Sequence, residues 1–408
     1  MIAVSINEAR LYDRFQTMNR IGETERGGLH RLALSDEDKQ ARDLLVDWFK
    51  ELHLTVRVDD LGNIYGIKPG SDPSAKPVVI GSHLDSVPKG GKYDGTLGVL
   101  AALEIVESLI DEGVSHEQPV IVVNFTNEEG ARFPKPMISS GVLSGVYQTE
   151  DMFQLADDSG ITLGDELKRI GYAGEKDFRL KDVDKFIELH IEQGPVLIEQ
   201  QAAIGIVEGI QGLSWHEATF IGEADHAGPS PMSTRKDAAV GAFKAMTALH
   251  EWVLSLEDET SITFGRIAVE PHVVNVIPGK AVFSIDIRHP EKEILEQRID
   301  KMKQILTETA LRFDLDSQLE DLSFMPPAPF SQKLVQDLEN VCLSEKVSYH
   351  RMYSGAGHDA MYMNRLAETI MLFVPSIDGK SHNEKEESRW EDIHQCVKVM
   401  YELVKKQL

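Results

Sequence analysis

Two cysteines, Cys342 and Cys396, are all that 408 residues contain. That is too few for a disulfide framework or an all-thiolate metal site, and such usage fits a reducing compartment. Long apolar runs are missing too: no stretch approaches the ~18–20 residues of a spanning helix. The segment Met1 to Phe15 carries Glu8, Arg10, Asp13 and Arg14 where a signal peptide would need an apolar run, so the cytoplasm is the expected location. Positive charge is scarce, with 42 Lys and Arg against 67 Asp and Glu and a formal net charge of −25. A surface of that sign repels phosphates and anionic lipid, which excludes nucleic-acid and membrane partners. Aromatic residues make up only 7%, but 42% of the chain is hydrophobic, enough for the two cores that this length implies.

Residues 36–52 place Ala41, Leu44, Leu45, Trp48, Phe49 and Leu52 on one helical face, with Ser35 as N-cap. Short strands follow at Thr55–Val58 and Asn63–Ile67. The apolar runs Pro77–Ser82, Val120–Phe125 and Phe186–Ile191 read as strands buried on both faces, and residues 97–110 as a helix between the first two. Strand, helix, strand alternation predicts an α/β fold whose functional groups collect at strand ends. From residue 209 the texture changes. Leu213–Gly222, Ser261–Glu270 and Lys280–His289 alternate apolar with polar, and Arg235–Glu257 and Glu291–Arg312 read as helices. This insert closes at the linker Pro326-Pro327-Ala328-Pro329. Beyond it come a helix at 331–345, a loop at Ser354–Ala360, a strand at Thr369–Val374 and a last helix around 391–407. The expected architecture is a mixed, mostly parallel sheet with helices on both faces, built from residues 1–208 and 327–408, interrupted by an α+β sandwich over 209–326.

Imidazoles and carboxylates gather at the strand ends. Gly81-Ser82-His83-Leu84-Asp85 and Leu189-His190-Ile191-Glu192 each close a strand, and Asp94, the pair Glu128-Glu129 and His382 lie on separate loops. These are borderline and hard ligands, suited to Zn²⁺, Mn²⁺ or similar ions. Asp85 stands two residues after His83, where a carboxylate can fix the tautomer of a metal-ligating imidazole. On the strand Ala281–His289 the polar face carries Ser284, Asp286 and Arg288. Arg288 can there fork onto a carboxylate of a ligand or pair with Asp286. The Gly-x-Gly of Ser354–Ala360 lacks the Lys-Ser/Thr ending and the helix of a phosphate cradle.

The segments VVIGSHLDSVPKGGKYDGTLGVLAALE, FTNEEGARFP, ELHIEQGPVL, ADHAGPSPM, NVIPGKAVFSIDIRH, SGAGHDA and PSIDGKSHNEKE together resemble the amidohydrolase branch of the M20 metallopeptidase family. That branch holds N-carbamoyl-L-amino acid hydrolases, β-ureidopropionases and allantoate amidohydrolases. The resemblance implies a catalytic domain with two divalent metal ions (manganese, zinc, cobalt or nickel) and no organic cofactor, and an inserted lid domain that forms a homodimer contact. By position, Asp94 would bridge the ions, and His83, Glu129, His190 and His382 would complete the ligands. Three imidazoles and two carboxylates leave room for a bridging water.

In the same way Glu128 would be the general base, and His226 the donor to the tetrahedral oxyanion, reaching it from the lid or from the partner subunit. Asn275 and Arg288 would hold a substrate carboxylate, with Gln193, Ala356 and Gly357 as further substrate contacts; from their place in the Ser354–Ala360 loop, His358 and Asp359 are expected to shape the pocket. The expected reaction is hydrolysis of the carbamoyl C–N bond of a small ureido substrate, an N-carbamoyl-L-amino acid, to amino acid, CO₂ and ammonia. Allantoate hydrolysis, aminoacylase or dipeptidase activity, and a non-enzymatic metal-stabilised scaffold stay open as alternatives. The segment GPSPM after His226 looks more like the carbamoylases than the GTTPM of allantoate enzymes.

Overall fold

A computed structural model describes residues 6–408. The chain divides into two compact units, one running through Gly209 and resuming at Phe330–Leu408, the other formed by Ile210–Pro329.

In the larger unit, the strands Val120–Phe125, Val78–His83, Lys185–Ile191 and Glu368–Val374 lie side by side and parallel, in that order. Antiparallel strands extend both edges: Ile64–Lys68 and Thr55–Val58 beyond Val120–Phe125, and Ile204–Ile210 beyond Glu368–Val374. Every residue of Val78–His83, Val120–Phe125 and Lys185–Ile191 is buried. Both faces of the central sheet are therefore covered, which is why these strands read as unbroken Val and Ile runs.

The helix Asp36–Glu51 starts as its capping chemistry dictates, Ser35 Oγ accepting the Asp38 N–H. Its Phe49 is fully buried with the ring against Gly66, where a Cβ would come within 2.8 Å. A phenyl ring buried this way contributes about 1.5–3 kcal/mol. The helix Thr96–Asp111 is buried along nearly its whole length, and its Glu104 is matched by the Arg10 fork at 2.7 Å.

The inserted unit is a five-stranded antiparallel sheet with Ile267–Glu270, Lys280–His289, Gly212–Ile221 and Asp316–Met325 in order, and Ser261–Thr263 also on Lys280–His289. Ala281, Phe283, Ile285 and Ile287 alternate onto one face with Ala218 and Phe220, packed with residues of the helices Ala238–Leu254 and Lys292–Arg312.

Two expectations are corrected. Ser261–Glu270 is not one strand: Gly265 interrupts it, and Arg266 exchanges main-chain and side-chain hydrogen bonds with Ser284 as the strand resumes. The loop expected at Ser354–Ala360 shrinks to Gly355–His358, between the strand Tyr349–Ser354 and the short helix Asp359–Met363. Among the described residues no helix is long and apolar enough to cross a membrane.

Candidate active site

The carboxyl ends of the four parallel strands lie level. His83 pairs in register with Phe125, each the last residue of its strand, and His190 pairs with Phe373. Each strand hands its chain to a loop at this edge, the position where open α/β sheets carry their chemistry.

His83 Nδ1 lies 2.9 Å from the main-chain oxygen of Asp85, and His190 Nδ1 lies 3.0 Å from that of Ile191. A carbonyl only accepts, so each Nδ1 carries the proton and each Nε2 presents a lone pair. Both lone pairs face the same carboxylate oxygen, with Asp94 Oδ1 at 3.5 Å from His83 Nε2 and 3.2 Å from His190 Nε2. The other oxygen of Asp94 faces a second group: Oδ2 is 3.6 Å from His382 Nε2, which is 3.2 Å from Glu129 Oε2. Acceptor against acceptor is repulsive unless protons or cations lie between them. Protonation is one balance. Glu129 first, and then Asp94, hold the His382 imidazole up to about 9. Burial pushes His83 down, but Glu128 and Asp94 outweigh it and raise its pKa.

A divalent cation in each cluster is the other balance, and the donors fit it. His83, Asp94 and His190 form one ligating group, and Asp94, Glu129 and His382 a second that shares Asp94. His83 Nε2 and Glu129 Oε1 are buried with no hydrogen-bond partner among the described residues, which is what ligand atoms look like before their ion is counted. A third group, Glu188, His190 and His358, fits less well. Both Glu188 oxygens already accept, from Ser82 Oγ at 2.7 Å and Ala360 N at 3.2 Å.

Glu128 is buried beside this centre, with Oε2 3.5 Å from His83 Nε2, and burial raises its carboxyl well above the ordinary range. The turn that presents it begins at Asn127, in the left-handed region at φ 56°, whose amide donates to the Lys135 carbonyl at 2.9 Å. The next two N–H groups, of Glu128 and Glu129, reach the two oxygens of Asp85 at 3.3 Å.

Residues 79–406 match the model of peptidase family M20/M25/M40. The chain belongs to this metal-dependent family. Its place is the amidohydrolase branch, and it is a hydrolase. It is 38% identical to an N-carbamoyl-L-amino-acid amidohydrolase of Rhizobium meliloti, over 94% of this chain and 92% of that one. It is 34% identical to an allantoate amidohydrolase of Bacillus subtilis, over 97% and 96% respectively. A crystal structure of an amidase of the hydantoinase/carbamoylase family from Burkholderia multivorans superposes with a TM-score of 0.95 at 40% identity, covering 99% of this chain and 98% of that one.

Several M20 candidates have surroundings that the sequence did not indicate. The Asp85 carboxylate is not the partner of His83: the nearer oxygen is 3.9 Å from Nδ1, and the main-chain oxygen takes that proton instead. Gln193, expected at the substrate, donates from Nε2 to Asp94 Oδ2 at 2.8 Å, while its Oε1 is buried without a partner among the described residues. Ala356 N donates to Ser354 Oγ at 3.1 Å, and Gly357 lies near Met137. His358 is buried with its ring 4.4 Å from that of His190, and burial followed by His190 pushes its pKa down. Asp359 is buried on Ser140 Oγ, and burial lifts its carboxyl to about 8.

In the inserted unit, His226 is exposed on a two-stranded ribbon, paired in register with Val276. Its Nδ1 accepts the Gly228 N–H at 3.0 Å, so the neutral ring carries its proton on Nε2 and is a donor there. The main-chain carbonyl of Asn275, next to that ribbon, accepts from Ala227 N at 3.0 Å. Arg288 forks onto Asp286 at 2.9 and 2.7 Å.

Glu386 was missed by the sequence reading. It is buried, accepts the N–H groups of Tyr93 and Asp94 at 3.0 and 3.1 Å and Ser381 Oγ at 3.0 Å, and so fixes the backbone that carries Asp94. Gly91 makes room for it, since a Cβ there would lie 1.9 Å from Glu386 Cδ. The signal available was its place four residues after His382.

Proposed function

We propose that this M20 hydrolase cleaves the carbamoyl C–N bond of N-carbamoyl-L-amino acids. The observation that carries the reading is the pair of ligand clusters sharing Asp94 with the buried Glu128 carboxyl beside them, in a chain 38% identical over nearly its whole length to carbamoylases of two bacteria. Divalent cations held by His83, Asp94, His190, Glu129 and His382 would supply Lewis-acid polarisation and acidify water.

The chain's own residues do the rest. Glu128 takes the proton of the attacking water and delivers it to the departing nitrogen. Gln193 holds Asp94 Oδ2 at 2.8 Å, and Glu386 holds the Asp94 main chain. Arg288 and Asn275 are assigned to the α-carboxylate and the Nε2–H of His226 to the oxyanion, on the strength of the matching motifs. A homodimer is part of the same reading.

The test is a parallel assay of N-carbamoyl-L-methionine, allantoate and a dipeptide, after chelation and return of Mn²⁺, Co²⁺, Zn²⁺ or Ni²⁺. The carbamoyl substrate should turn over fastest, and only with metal restored. Preference for allantoate, supported by the 34% identity to an allantoate enzyme, would replace the substrate assignment. Hydrolysis unaffected by chelation would overturn the mechanism. Inactivity on every substrate would favour a scaffold.

A further inference from the structure

The inserted unit holds a second reactive constellation, made of residues that none of the roles above uses. Ser214 and His216 stand two apart on the strand Gly212–Ile221, so their side chains share one face. Both are buried, on the face that also carries the core residues Ala218 and Phe220. Asp321 lies directly across from His216 on the neighbouring strand, where the ladder register shifts between Asp321 and Ser323. Bulges of this kind often re-aim side chains next to active sites. His216 Nδ1 is 2.7 Å from Asp321 Oδ1, and His216 Nε2 is 2.9 Å from Ser214 Oγ. A carboxylate on Nδ1 fixes the proton there and leaves the Nε2 lone pair facing the hydroxyl, while the Ser323 carbonyl is a weaker alternative acceptor at 3.3 Å. Burial pushes the His216 pKa down against the pull of Asp321.

We propose that Ser214, His216 and Asp321 form a serine-type acyl-transfer site, independent of metal, on the inserted unit. The nucleophile, base and orienting acid are in the order and at the separations such chemistry requires. They line a cavity of about 540 Å³. Ile299 and Phe324 offer an apolar wall there, and Glu296 and Asp300 join Asp321 against the single cation Lys303 among its lining residues. A net negative cavity turns anions away, and the substrate class proposed for it is a carboxylic ester without negative charge. In the reaction Ser214 Oγ bonds to the carbonyl carbon as its proton passes to His216 Nε2. The C–O bond to the alcohol breaks and the alcohol leaves with that proton. Water, deprotonated by the same imidazole, then releases the carboxylic acid and restores Ser214.

The full-length protein is treated with an alkyl fluorophosphonate, whose P–F bond is replaced by a bond to an activated serine oxygen with loss of fluoride, and its peptides are mapped by mass spectrometry. A phosphonyl adduct on Ser214 is expected. It should be absent from Ser214→Ala and form at least ~100-fold more slowly in Asp321→Asn, the variant that misdirects the imidazole tautomer. Unchanged circular dichroism shows that both variants are folded, and Asp321 is surface-placed, its side chain 63% exposed. Hydrolysis of 4-nitrophenyl acetate should survive chelation and fall to background in Ser214→Ala. No adduct on Ser214 in the folded parent, or equal labelling of Asp321→Asn, would overturn the proposal and leave a polar cross-link between strands.

Discussion

Gly95 separates Asp94, which the two candidate ligand groups share, from the helix Thr96–Asp111 and has φ 60° and ψ −50°, a conformation that L side chains avoid. A Cβ at this position would fall 2.3–2.4 Å from three atoms of the His83 ring, about 1 Å inside ordinary van der Waals contact. Gly95→Ala therefore meets two penalties. Backbone strain costs about 1–3 kcal/mol. The imidazole must also move, giving up its 2.9 Å hydrogen bond to the Asp85 carbonyl, a loss of about 1 kcal/mol. The displaced Nε2 no longer points at Asp94, so metal affinity should fall at least the ~10–100-fold seen when a ligand's orienting partner is removed. Metal retained after dialysis, measured by plasma mass spectrometry, should drop with kcat while the circular dichroism spectrum stays that of the parent. If a folded Gly95→Ala protein kept both its metal and its turnover, His83 would not be a ligand held in the orientation described.

Three further outcomes are expected. Glu128→Gln should retain metal and lose about 10²–10⁴-fold in kcat, and near-parental turnover with full metal content would remove Glu128 as the base. Glu386→Gln keeps an oxygen for the Tyr93 and Asp94 N–H groups and should stay within about threefold of parental metal affinity, whereas Glu386→Ala should lose about 10–100-fold; equal effects in a chelator-competition titration would mean that charge, not acceptor geometry, matters. Asp258, pushed up by burial but held down to about 2 by Thr260 and Arg298, should stabilise the inserted unit above the unfolded value near pH 4. That stability is lost as pH falls toward 2, by about 1 kcal/mol after solvent screening. Urea unfolding of the parent and Asp258→Asn across pH 2–6 should converge at the acid end, and a constant gap would refute the linkage.

Which parts of the fold could be read in advance follows from how each strand is buried. Val78–His83 and Val120–Phe125 sit in the middle of the sheet with every residue buried, so they are apolar without interruption and were legible to within a residue or two. Lys280–His289 buries every second residue and was equally plain by alternation. Among the described residues the strand Asp316–Met325 lies at a sheet edge, paired with Gly212–Ile221. It needs little apolar surface, and Asp316, Ser317, Gln318, Glu320 and Asp321 hide it among loop-like residues. Ile204–Ile210 escaped notice for a different reason: glycines at 205 and 209 break its apolar pattern, yet Gly205 is required where a Cβ would meet Phe373 at 2.8 Å.

The candidate site was legible in its residue types and opaque in its pairings. His83, Asp94, Glu128, Glu129, His190 and His382 are imidazoles and carboxylates placed beside recognisable strand ends, and a parallel sheet brings strand ends together whatever the intervening length. What each group hydrogen-bonds to depends on loop paths that the residue types do not encode. Asp85 shows the difference. Its spacing from His83 invites a direct carboxylate–imidazole bond, but the chain turns so that the Asp85 carbonyl, not its side chain, meets Nδ1. The carboxylate is left facing the next loop, where it accepts the N–H groups of Glu128 and Glu129. Asp85 thus couples the two: its main chain orients the His83 imidazole, and its side chain sets the turn that presents Glu128 and Glu129.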